Sequence, residues 1–381
     1  MTKHFPGGGP QKDGEDPHFA HGREQVYPGD AFEVHLKPFE DLIAAGTRQM
    51  MPYYGMPVGT EYEEVGFGFN KSVITGLLRD RFGFEGLVCT DWGLLSDHEI
   101  FGDPFPARAW GVEHLSPRER MKKVLEAGAD QFGGEACPEL LVDLVVSGSV
   151  SESRLDESAR RILREKFELG LFELPYVDAA AADSIVGNPE FRAAGERAQR
   201  ASITVLTNGS VDSPTLPLAA SRWYVEGIDP DRLAGYGEFV PTPEEADAII
   251  VRLQAPFEQR PTTFESMFHS GSLEFSDEVI DHIRDLAKHA PTIVDVYADR
   301  PAILEPIAQV AAALTVNWGA SADALLDVLT GRFAPRGHLP FDLPRSMAAV
   351  EAALPDVPFD TADPLFRFGH GITELGAPVR D

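Results

Sequence analysis

Apolar runs alternate with amphipathic stretches along the first 170 residues of the chain. The apolar runs predict strands at Arg48–Pro52, Gly86–Thr90 and Ala129–Phe132. Hydrophobic positions spaced three and four apart predict helices over His35–Ala45, Lys71–Arg81, Arg118–Ala127, Glu139–Val146 and Glu152–Leu169. This alternation is typical of a parallel sheet or a (β/α) barrel. Three or four such units are too few for a closed barrel of eight strands.

The alternation resumes in the second half of the chain, after a stretch rich in Asp, Ala and Pro. Strands are predicted at Ser202–Thr207, Trp223–Gly227, Ala248–Leu253, Thr292–Tyr297 and Ala313–Trp318, with helices at Asp277–Ala290, Ile303–Ala313 and Ala322–Thr330. Apolar strands separated by amphipathic helices predict an open sheet covered on both faces. We therefore expect one domain over residues 1–174, a linker over 175–200 and a second domain over 201–381.

Charge and composition narrow the possible partners. The 381 residues contain 61 acidic and 33 basic side chains, a formal net charge of -28. This charge repels phosphate backbones, so it argues against nucleic acid as a partner and favours a neutral substrate. No run of about 18 apolar residues predicts a membrane span. The start, MTKHFPGGGP, has no apolar core of a secretory signal, so the expected location is cytoplasmic. Cys89 and Cys137, the two cysteines, are expected to be reduced thiols.

The most informative stretch is the predicted strand that runs into Asp91 and Trp92. In a (β/α) barrel, catalytic groups lie at the carboxyl ends of the strands. Asp91 is therefore a candidate catalytic carboxylate, and the neighbouring aromatic ring of Trp92 could stack on a sugar. The alternative is that Asp91 only caps the following turn.

Two other polar stretches lie near the amino terminus. Lys3 and His4 precede three glycines, but the spacing is not that of a phosphate-binding loop. We expect Lys3 and His4 to donate hydrogen bonds to sugar hydroxyls; a disordered cationic terminus is the alternative. Residues 11–21 (QKDGEDPHFAH) crowd carboxylates and histidines, yet no calcium-loop or H-E-x-x-H pattern is present. We predict a solvated loop there and no metal site.

Eight segments in the same order identify a resemblance. They are KHFPGGG, AGTRQMMPYYG, GFNKSVITGLLRDRFGFEGLVCTDWG, EAGADQF, SRLDESARRILREKFELGLF, ADRPAIL, NWGASADALLDVLTGRFAPRGHLPFDLP and PLFRFGHGI. Together they resemble the family-3 glycoside hydrolases, the first five matching later segments of the catalytic barrel and the last three matching the second domain. The resemblance implies a partial (β/α)8 TIM-type barrel followed by an α/β sandwich.

The resemblance also implies roles for individual residues. Asp91 falls on the family's nucleophile, and Trp92 on the aromatic residue beside it. Lys3 and His4 match the pair that binds the sugar, and Tyr54 matches a tyrosine near the nucleophile. The family's acid/base is a glutamate on a loop of the second domain. We predict Glu258 for this role, with Glu265 and Glu274 as the alternatives.

The implied activity is that of a retaining, exo-acting β-glucosidase that acts on saccharides or on aryl and alkyl β-glucosides and needs no cofactor. β-Xylosidase specificity and an inactive remnant that only binds carbohydrate are the alternatives; a phosphorylase would need a phosphate site. The chain begins on the family's mid-barrel Lys-His segment. We therefore expect a truncated gene model that lacks the first three or so βα units, unless a partner chain completes the barrel.

Overall fold

The chain divides into two compact units in the computed structural model, which describes residues 1–210 and 212–375. Unit 1 comprises Met1–Val177, Gln259–Ser270 and Leu354–Pro358. Unit 2 comprises Asp178–Glu258, Gly271–Ala353 and the segment that begins at Phe359. The sequence analysis predicted one continuous segment for each domain. It did not predict that Gln259–Ser270 and Leu354–Pro358 belong to unit 1.

Unit 1 is organised around a parallel sheet. Its strands are β1 (Thr2–Phe5), β2 (Glu24–Val26), β3 (Gln49–Pro52), β4 (Met56–Val58), β5 (Leu87–Trp92), β6 (His98–Ile100), β7 (Asp103–Phe105) and β8 (Gln131–Gly133). Four of them form the parallel sheet β1-β3-β5-β8, while β2 pairs with β4 and β6 pairs with β7. The parallel sheet with its helices is the partial barrel that the sequence predicted. Strand β5 extends two residues beyond the predicted end, so Asp91 and Trp92 lie within the strand rather than after it.

Helices connect the strands of this sheet. They are α1 (Phe32–Ala44), a π-type helix (Ser72–Arg81), α2 (Pro117–Ala127), α3 (Pro138–Val146) and α4 (Glu152–Glu168). Helix α2 begins with a capping box, in which Ser116 and Glu119 satisfy each other's backbone N–H groups. It ends at Gly128, whose φ of 108° only glycine adopts easily. All five predicted helices of the first half are present, with ends that differ by at most three residues.

Unit 2 contains a six-stranded sheet. Its strands are β9 (Thr204–Asn208), β10 (Arg222–Glu226), β11 (Glu238–Phe239), β12 (Ala248–Gln254), β13 (Thr292–Tyr297) and β14 (Ala313–Asn317). The order is β11-β10-β12-β13-β14-β9, and only the β14–β9 pair is antiparallel among these described strands. Ile250 and Ile293 pack into one core cluster, whereas Val294 and Leu314 pack into another. Both faces of the sheet are therefore covered, as an α/β sandwich requires.

The remaining helices include two in the segment predicted as a linker. They are α5 (Ala179–Ile185), α6 (Pro189–Ser202), α7 (Thr263–Ser266), α8 (Asp277–Leu286), α9 (Glu305–Ala308), α10 (Ala322–Leu329) and α11 (Met347–Ala352); α7 belongs to unit 1. Asp178 and Asn188 cap the first turns of α5 and α6. No helix among the described residues is both long and apolar enough to cross a bilayer. Cys89 and Cys137 are free thiols, as predicted.

Candidate active site

Polar side chains from three neighbouring strands meet at one edge of the unit 1 sheet. His4 lies on β1, Tyr54 follows the end of β3, and Asp91 lies near the end of β5. Because the strands are parallel, their carboxyl ends share this edge. The Nε2 atom of His4 lies 3.3 Å from Oδ2 of Asp91. The sheet thus brings a carboxylate and an imidazole into direct contact although they are 87 residues apart in sequence.

The backbone of Trp92 fixes the other side of the Asp91 carboxylate. The Trp92 N–H group donates to Oδ1 of Asp91 at 2.8 Å and to the Tyr54 hydroxyl at 2.9 Å. The Tyr54 hydroxyl in turn donates to the Trp92 carbonyl at 2.7 Å. Both carboxylate oxygens therefore have a polar neighbour, which restricts the rotation of the Asp91 side chain.

Asp91 is buried, with 7% of its surface exposed. Burial by itself raises the pKa of this carboxyl, because desolvation disfavours the charge. The opposing effects, led by the hydrogen bond with His4 and followed by the Trp92 N–H group and Tyr54, are larger in sum and bring the pKa below its ordinary value. The site therefore holds an ionised carboxylate in a shielded environment, which is the state that a nucleophile needs.

Arg108 contacts the backbone of Trp92 and two aromatic rings near Asp91. Its Nη2 donates to the Trp92 carbonyl at 2.8 Å, and its guanidinium lies 3.8 Å from the centre of the Phe105 ring and 5.7 Å from that of Tyr54. Arg108 is buried, and burial lowers the pKa of its guanidinium. The Trp92 carbonyl thus accepts from both Arg108 and Tyr54.

Three further residues, each adjacent in sequence to His4, Asp91 or Tyr54, differ in exposure. Lys3 is exposed on β1, next to His4. Trp92 exposes 63% of its surface, and its ring lies against the backbone of Gly134. Tyr53 is buried, its ring lies 5.2 Å from that of His4, and its hydroxyl accepts from Gln11. The exposed indole of Trp92 is suited to the apolar face of a ligand such as a sugar.

The loop over residues 11–21 is more than the solvated segment that the sequence predicted. Pro17 is buried and its carbonyl accepts from Trp110 at 2.8 Å. The His18 ring lies 4.7 Å from the ring of Tyr54 and 4.6 Å from that of Phe268. The prediction was wrong for this part of the loop because the aromatic partners of His18 and Phe19 come from distant segments. No group of three or more His, Cys, Asp or Glu in the described ranges could hold a metal ion.

The three candidate acid/base glutamates are divided between the two units, with two in unit 2 and one in unit 1. Glu258 and Glu274 are exposed residues of unit 2, and Oε1 of Glu258 accepts from the Ser272 N–H group at 3.1 Å. Glu265 belongs to unit 1, as Asp91 does, and its side chain is only 14% exposed. Its Oε1 lies 3.6 Å from Nε2 of His21, which is 3.4 Å from Glu15.

Glu265 borders two cavities of unit 1. A polar cavity of about 200 Å³ includes Gln11, Asp16 and Arg260 in its wall. An apolar cavity of about 220 Å³ includes Phe105 and Phe264. A shielded carboxyl group that borders a polar space is a reasonable position for a proton donor. No local sequence pattern indicated that residues 259–270 belong to unit 1.

Tyr53, Arg108 and Gln11 were not anticipated as site residues. Tyr53 could have been found, because it is the first residue after a buried strand and precedes Tyr54. Arg108 carried no such signal, since it follows the β6–β7 hairpin and reaches the Trp92 carbonyl only in three dimensions.

The fold has a partial barrel, an α/β sandwich and a buried carboxylate at the edge of the barrel sheet. Comparison with models of known protein families shows which family combines these features. The model of the glycosyl hydrolase family 3 N-terminal domain matches residues 1–165, and that of the family's C-terminal domain matches residues 109–374. The chain therefore belongs to glycosyl hydrolase family 3.

Individual relatives agree with this assignment. The chain is 51% identical over 375 residues to the probable beta-glucosidase C of Aspergillus flavus, a match that covers 98% of this chain and 59% of that protein. It is 38% identical over 395 residues to the periplasmic beta-glucosidase/beta-xylosidase of Dickeya chrysanthemi, again covering 98% of this chain and 59% of that protein. The chain thus spans about three-fifths of the length of these relatives.

The fold is also similar to that of a solved structure. The beta-glucosidase from Listeria innocua in complex with isofagomine superposes with a TM-score of 0.74 at 20% identity, over 96% of this chain and 57% of that one. At this identity, the match supports the fold alone.

Proposed function

We propose that the protein is a retaining β-glucosidase in which Asp91 is the nucleophile. The observation that carries this proposal is the buried Asp91, whose pKa is lowered by His4, the Trp92 N–H group and Tyr54 although burial opposes ionisation. The relatives named as beta-glucosidases support the same activity.

Retention of configuration follows from two displacements. The Asp91 carboxylate attacks the anomeric carbon while the bond to the leaving oxygen breaks, and an acid donates its proton to that oxygen. The same acid, now a base, then takes a proton from water, which attacks the glycosyl–Asp91 ester and releases the sugar. His4 donates a hydrogen bond to Asp91 before the attack. Lys3 and the exposed ring of Trp92 are available for the sugar's hydroxyls and its apolar face.

The stereochemistry of the product tests the mechanism. NMR during early hydrolysis of an aryl β-glucoside should show β-glucose first, with α-glucose appearing only by mutarotation. α-Glucose as the first-formed anomer would rule out a covalent intermediate on Asp91. Parallel assays with the matching β-xyloside measure sugar preference, which we propose to be for glucose.

Three glutamates are candidates for the acid/base. Glu258 is the prediction from the sequence, but its carboxylate already accepts the Ser272 N–H group. Two observations support Glu265 instead: it lies in the same unit as Asp91, and its carboxyl is largely shielded between two cavities.

Azide rescue separates the candidates. Without its acid/base, the enzyme should still attack dinitrophenyl glucosides, whose leaving group needs little protonation, and should accumulate a glycosyl-enzyme because no base activates water. Azide needs no base, so it should accelerate turnover and yield β-glucosyl azide. Glu265→Ala, Glu258→Ala and Glu274→Ala are compared under the same conditions. Rescue confined to Glu258→Ala would support the sequence prediction over Glu265.

A further inference from the structure

Arg108 is a buried cation of unit 1, with 3% of its surface exposed. Among the described residues, no acidic side chain forms an ion pair with its guanidinium, whereas Arg79 of the same unit pairs with Asp130 at 2.7 Å. The Nε atom of Arg108 is buried and has no hydrogen-bond partner in the part of the chain that the structure describes. A buried charge without a direct counter-ion is costly, so its position calls for a physical explanation.

Neutral groups contact the Arg108 guanidinium. Its Nη1 donates to the Pro106 carbonyl at 3.0 Å, and its Nη2 donates to the Trp92 carbonyl at 2.8 Å. The Phe105 ring lies against it, with 3.8 Å between Cζ of Arg108 and the ring centre. Dipoles and a ring face stabilise the cation but do not neutralise it. Its charge therefore acts on charged groups that lie further away.

Asp91 is one of the groups that this charge acts on. Burial lowers the pKa of Arg108, while the charges of Asp91 and Glu135 are among the effects that raise it. Attraction between two charges is mutual, so Arg108 also favours the ionised form of Asp91. Both side chains are buried, which strengthens the attraction relative to that in water. Both also bond to the backbone of Trp92, Asp91 at the N–H group and Arg108 at the carbonyl.

The charge of Asp91 changes in opposite directions in the two displacements of the proposed reaction. In the first, a bond forms between the carboxylate and the anomeric carbon, the leaving oxygen departs with a proton from the acid, and Asp91 becomes a neutral ester. In the second, that bond breaks, its electron pair returns to Asp91, and the oxygen of water bonds to the anomeric carbon. A fixed cation near Asp91 therefore opposes the first change and favours the second.

We infer that Arg108 is a positioning residue whose charge speeds the release of Asp91 from the glycosyl ester. The inference rests on the proposed function and assigns Arg108 to the second displacement. The alternative is that Arg108 only holds the Trp92 carbonyl in place. However, the Tyr54 hydroxyl donates to the same carbonyl at 2.7 Å, so the hydrogen bond of Arg108 is duplicated whereas its charge is not.

Two measurements separate the displacements. With a dinitrophenyl β-glucoside, kcat/KM reports the first displacement. The rate at which a purified 2-deoxy-2-fluoroglucosyl ester of the enzyme regains activity reports the second. Arg108→Gln removes the charge and keeps a side-chain donor. It should slow reactivation about tenfold or more and leave kcat/KM within about threefold of the wild type. Azide should not close this gap, because departure of Asp91 limits the reaction with azide as well as with water.

Two further variants provide the controls. Arg108→Lys keeps the charge and should restore the reactivation rate to within about threefold of the wild type. Arg81→Gln removes an exposed arginine of the same unit, whose guanidinium lies 5.1 Å from the centre of the Phe82 ring, and should change neither rate. Circular dichroism verifies that each variant is folded. If Arg108→Gln is not folded, Arg108→Met provides a neutral, unbranched side chain instead.

The outcomes distinguish failure of this inference from failure of the proposed function. Equal losses in kcat/KM and in reactivation would mean that Arg108 only maintains the structure, and an unchanged reactivation rate would mean that its charge has no effect. Either result would overturn the inference and leave the glycosidase standing. A wild type that turns over β-glucosides without forming an ester on Asp91 would refute the proposed mechanism, and this inference with it.

Discussion

Asp91 combines burial with a lowered pKa, which has a consequence for stability. A carboxyl whose folded pKa lies below its unfolded value, about 3.9, stabilises the fold at pH values above that unfolded value. This contribution is lost as the pH falls through the folded pKa. Because His4 and the Trp92 N–H group bind the ionised form, the stability of the fold and the proposed nucleophilic role of Asp91 depend on the same hydrogen bonds.

Replacing the carboxylate tests both roles. Asp91→Asn should reduce kcat on a β-glucoside by on the order of 10⁴-fold or more, because the amide cannot form the ester intermediate. The difference in unfolding free energy between wild type and Asp91→Asn should shrink below about pH 4, where the Asp91 carboxyl of the unfolded chain begins to bind a proton while that of the folded chain is still ionised. Urea unfolding between pH 3 and pH 7 measures this difference. A gap that widens on acidification would contradict the lowered pKa.

Tyr54 contacts the backbone of Trp92 and lowers the pKa of Asp91. Tyr54→Phe removes a hydrogen bond that favours ionised Asp91, so the acidic limb of the kcat/KM profile should move to higher pH. The cost in unfolding free energy should be only about 1 kcal/mol, since Asp91 still accepts the Trp92 N–H group and Arg108 still donates to the Trp92 carbonyl. Tyr62→Phe, in the same unit, is the control. An unshifted acidic limb would show that Tyr54 does not tune Asp91.

At the scale of single residues, the position of Asp91 at the sheet edge could be inferred, because an apolar run leads into it. The residues before His4 form no apolar run, so strand β1 had no such signal. The contact between Arg108 and Trp92 could not be inferred, because it depends on how a hairpin folds back. For the same reason, the position of Glu265 in unit 1 had no local signal.

At the scale of elements, the β6–β7 hairpin follows the strand that carries Asp91 and lines the apolar cavity. Gly93 follows β5 with a φ of 65°, and a Cβ atom there would lie 2.0 Å from Nη2 of Arg108. Gly102, at the hairpin turn, has a φ of 89° and open space around it. The two glycines therefore share the positive φ but differ in their surroundings.

Alanine at the two positions separates these effects. Gly102→Ala should cost about 1–2 kcal/mol of unfolding free energy, the usual cost of the left-handed conformation. Gly93→Ala should cost about 1–3 kcal/mol more unfolding free energy, because Arg108 must also move. The same variant should have a lower kcat, because Arg108 donates to the carbonyl next to Asp91. Urea unfolding and kcat are measured on both variants. Equal losses of stability would show that the contact with Arg108 does not matter.

Elements with a clear hydrophobic pattern were predicted closely, whereas most of the short strands were not. Strand β13 has the predicted limits, and β12 and α4 differ from theirs by one residue. The strands β2, β4, β6, β7 and β11 have two or three residues each and lack a periodic pattern. Helix α9 is also shorter than predicted, since only Glu305–Ala308 is helical. Tertiary contacts rather than local preference define such elements.

At the scale of the whole molecule, unit 2 contains a second buried acid with the opposite behaviour. Burial raises the pKa of Asp295 to about 6, although Arg252, Thr315 and Asn317 oppose the rise. A carboxyl with a raised folded pKa contributes stability below its unfolded pKa and loses it as the pH rises through about 6. Unit 2 should therefore be less stable at pH 7 than at pH 5 because of this residue.

Hydrogen exchange can follow this unit separately. In the wild type, protection of the β13 and β14 amides should fall between pH 5 and pH 7 after correction for intrinsic exchange rates. Asp295→Asn should remove that dependence, because the amide does not ionise. The parallel sheet of unit 1 provides the internal reference. A dependence that survives in Asp295→Asn would assign it to another group.

The alternation of strands and helices was sufficient to predict the two α/β architectures but not the path of the chain between them. Residues 259–270 and 354–358 return to unit 1 without any change in composition that marks them. Family membership follows from the ordered motifs, whereas the cavities follow from side chains that are far apart in sequence.

The central claim, that Asp91 is the nucleophile, is tested most directly by trapping the intermediate. A 2-deoxy-2-fluoro-β-glucoside with a dinitrophenyl leaving group reacts to a long-lived glycosyl ester, because the fluorine slows its hydrolysis. Intact-mass measurement should show one added fluoroglucosyl group, and peptide mapping should place it on Asp91, with none on Asp91→Asn. A label on any other residue, or no label during turnover of the unmodified glucoside, would contradict the account.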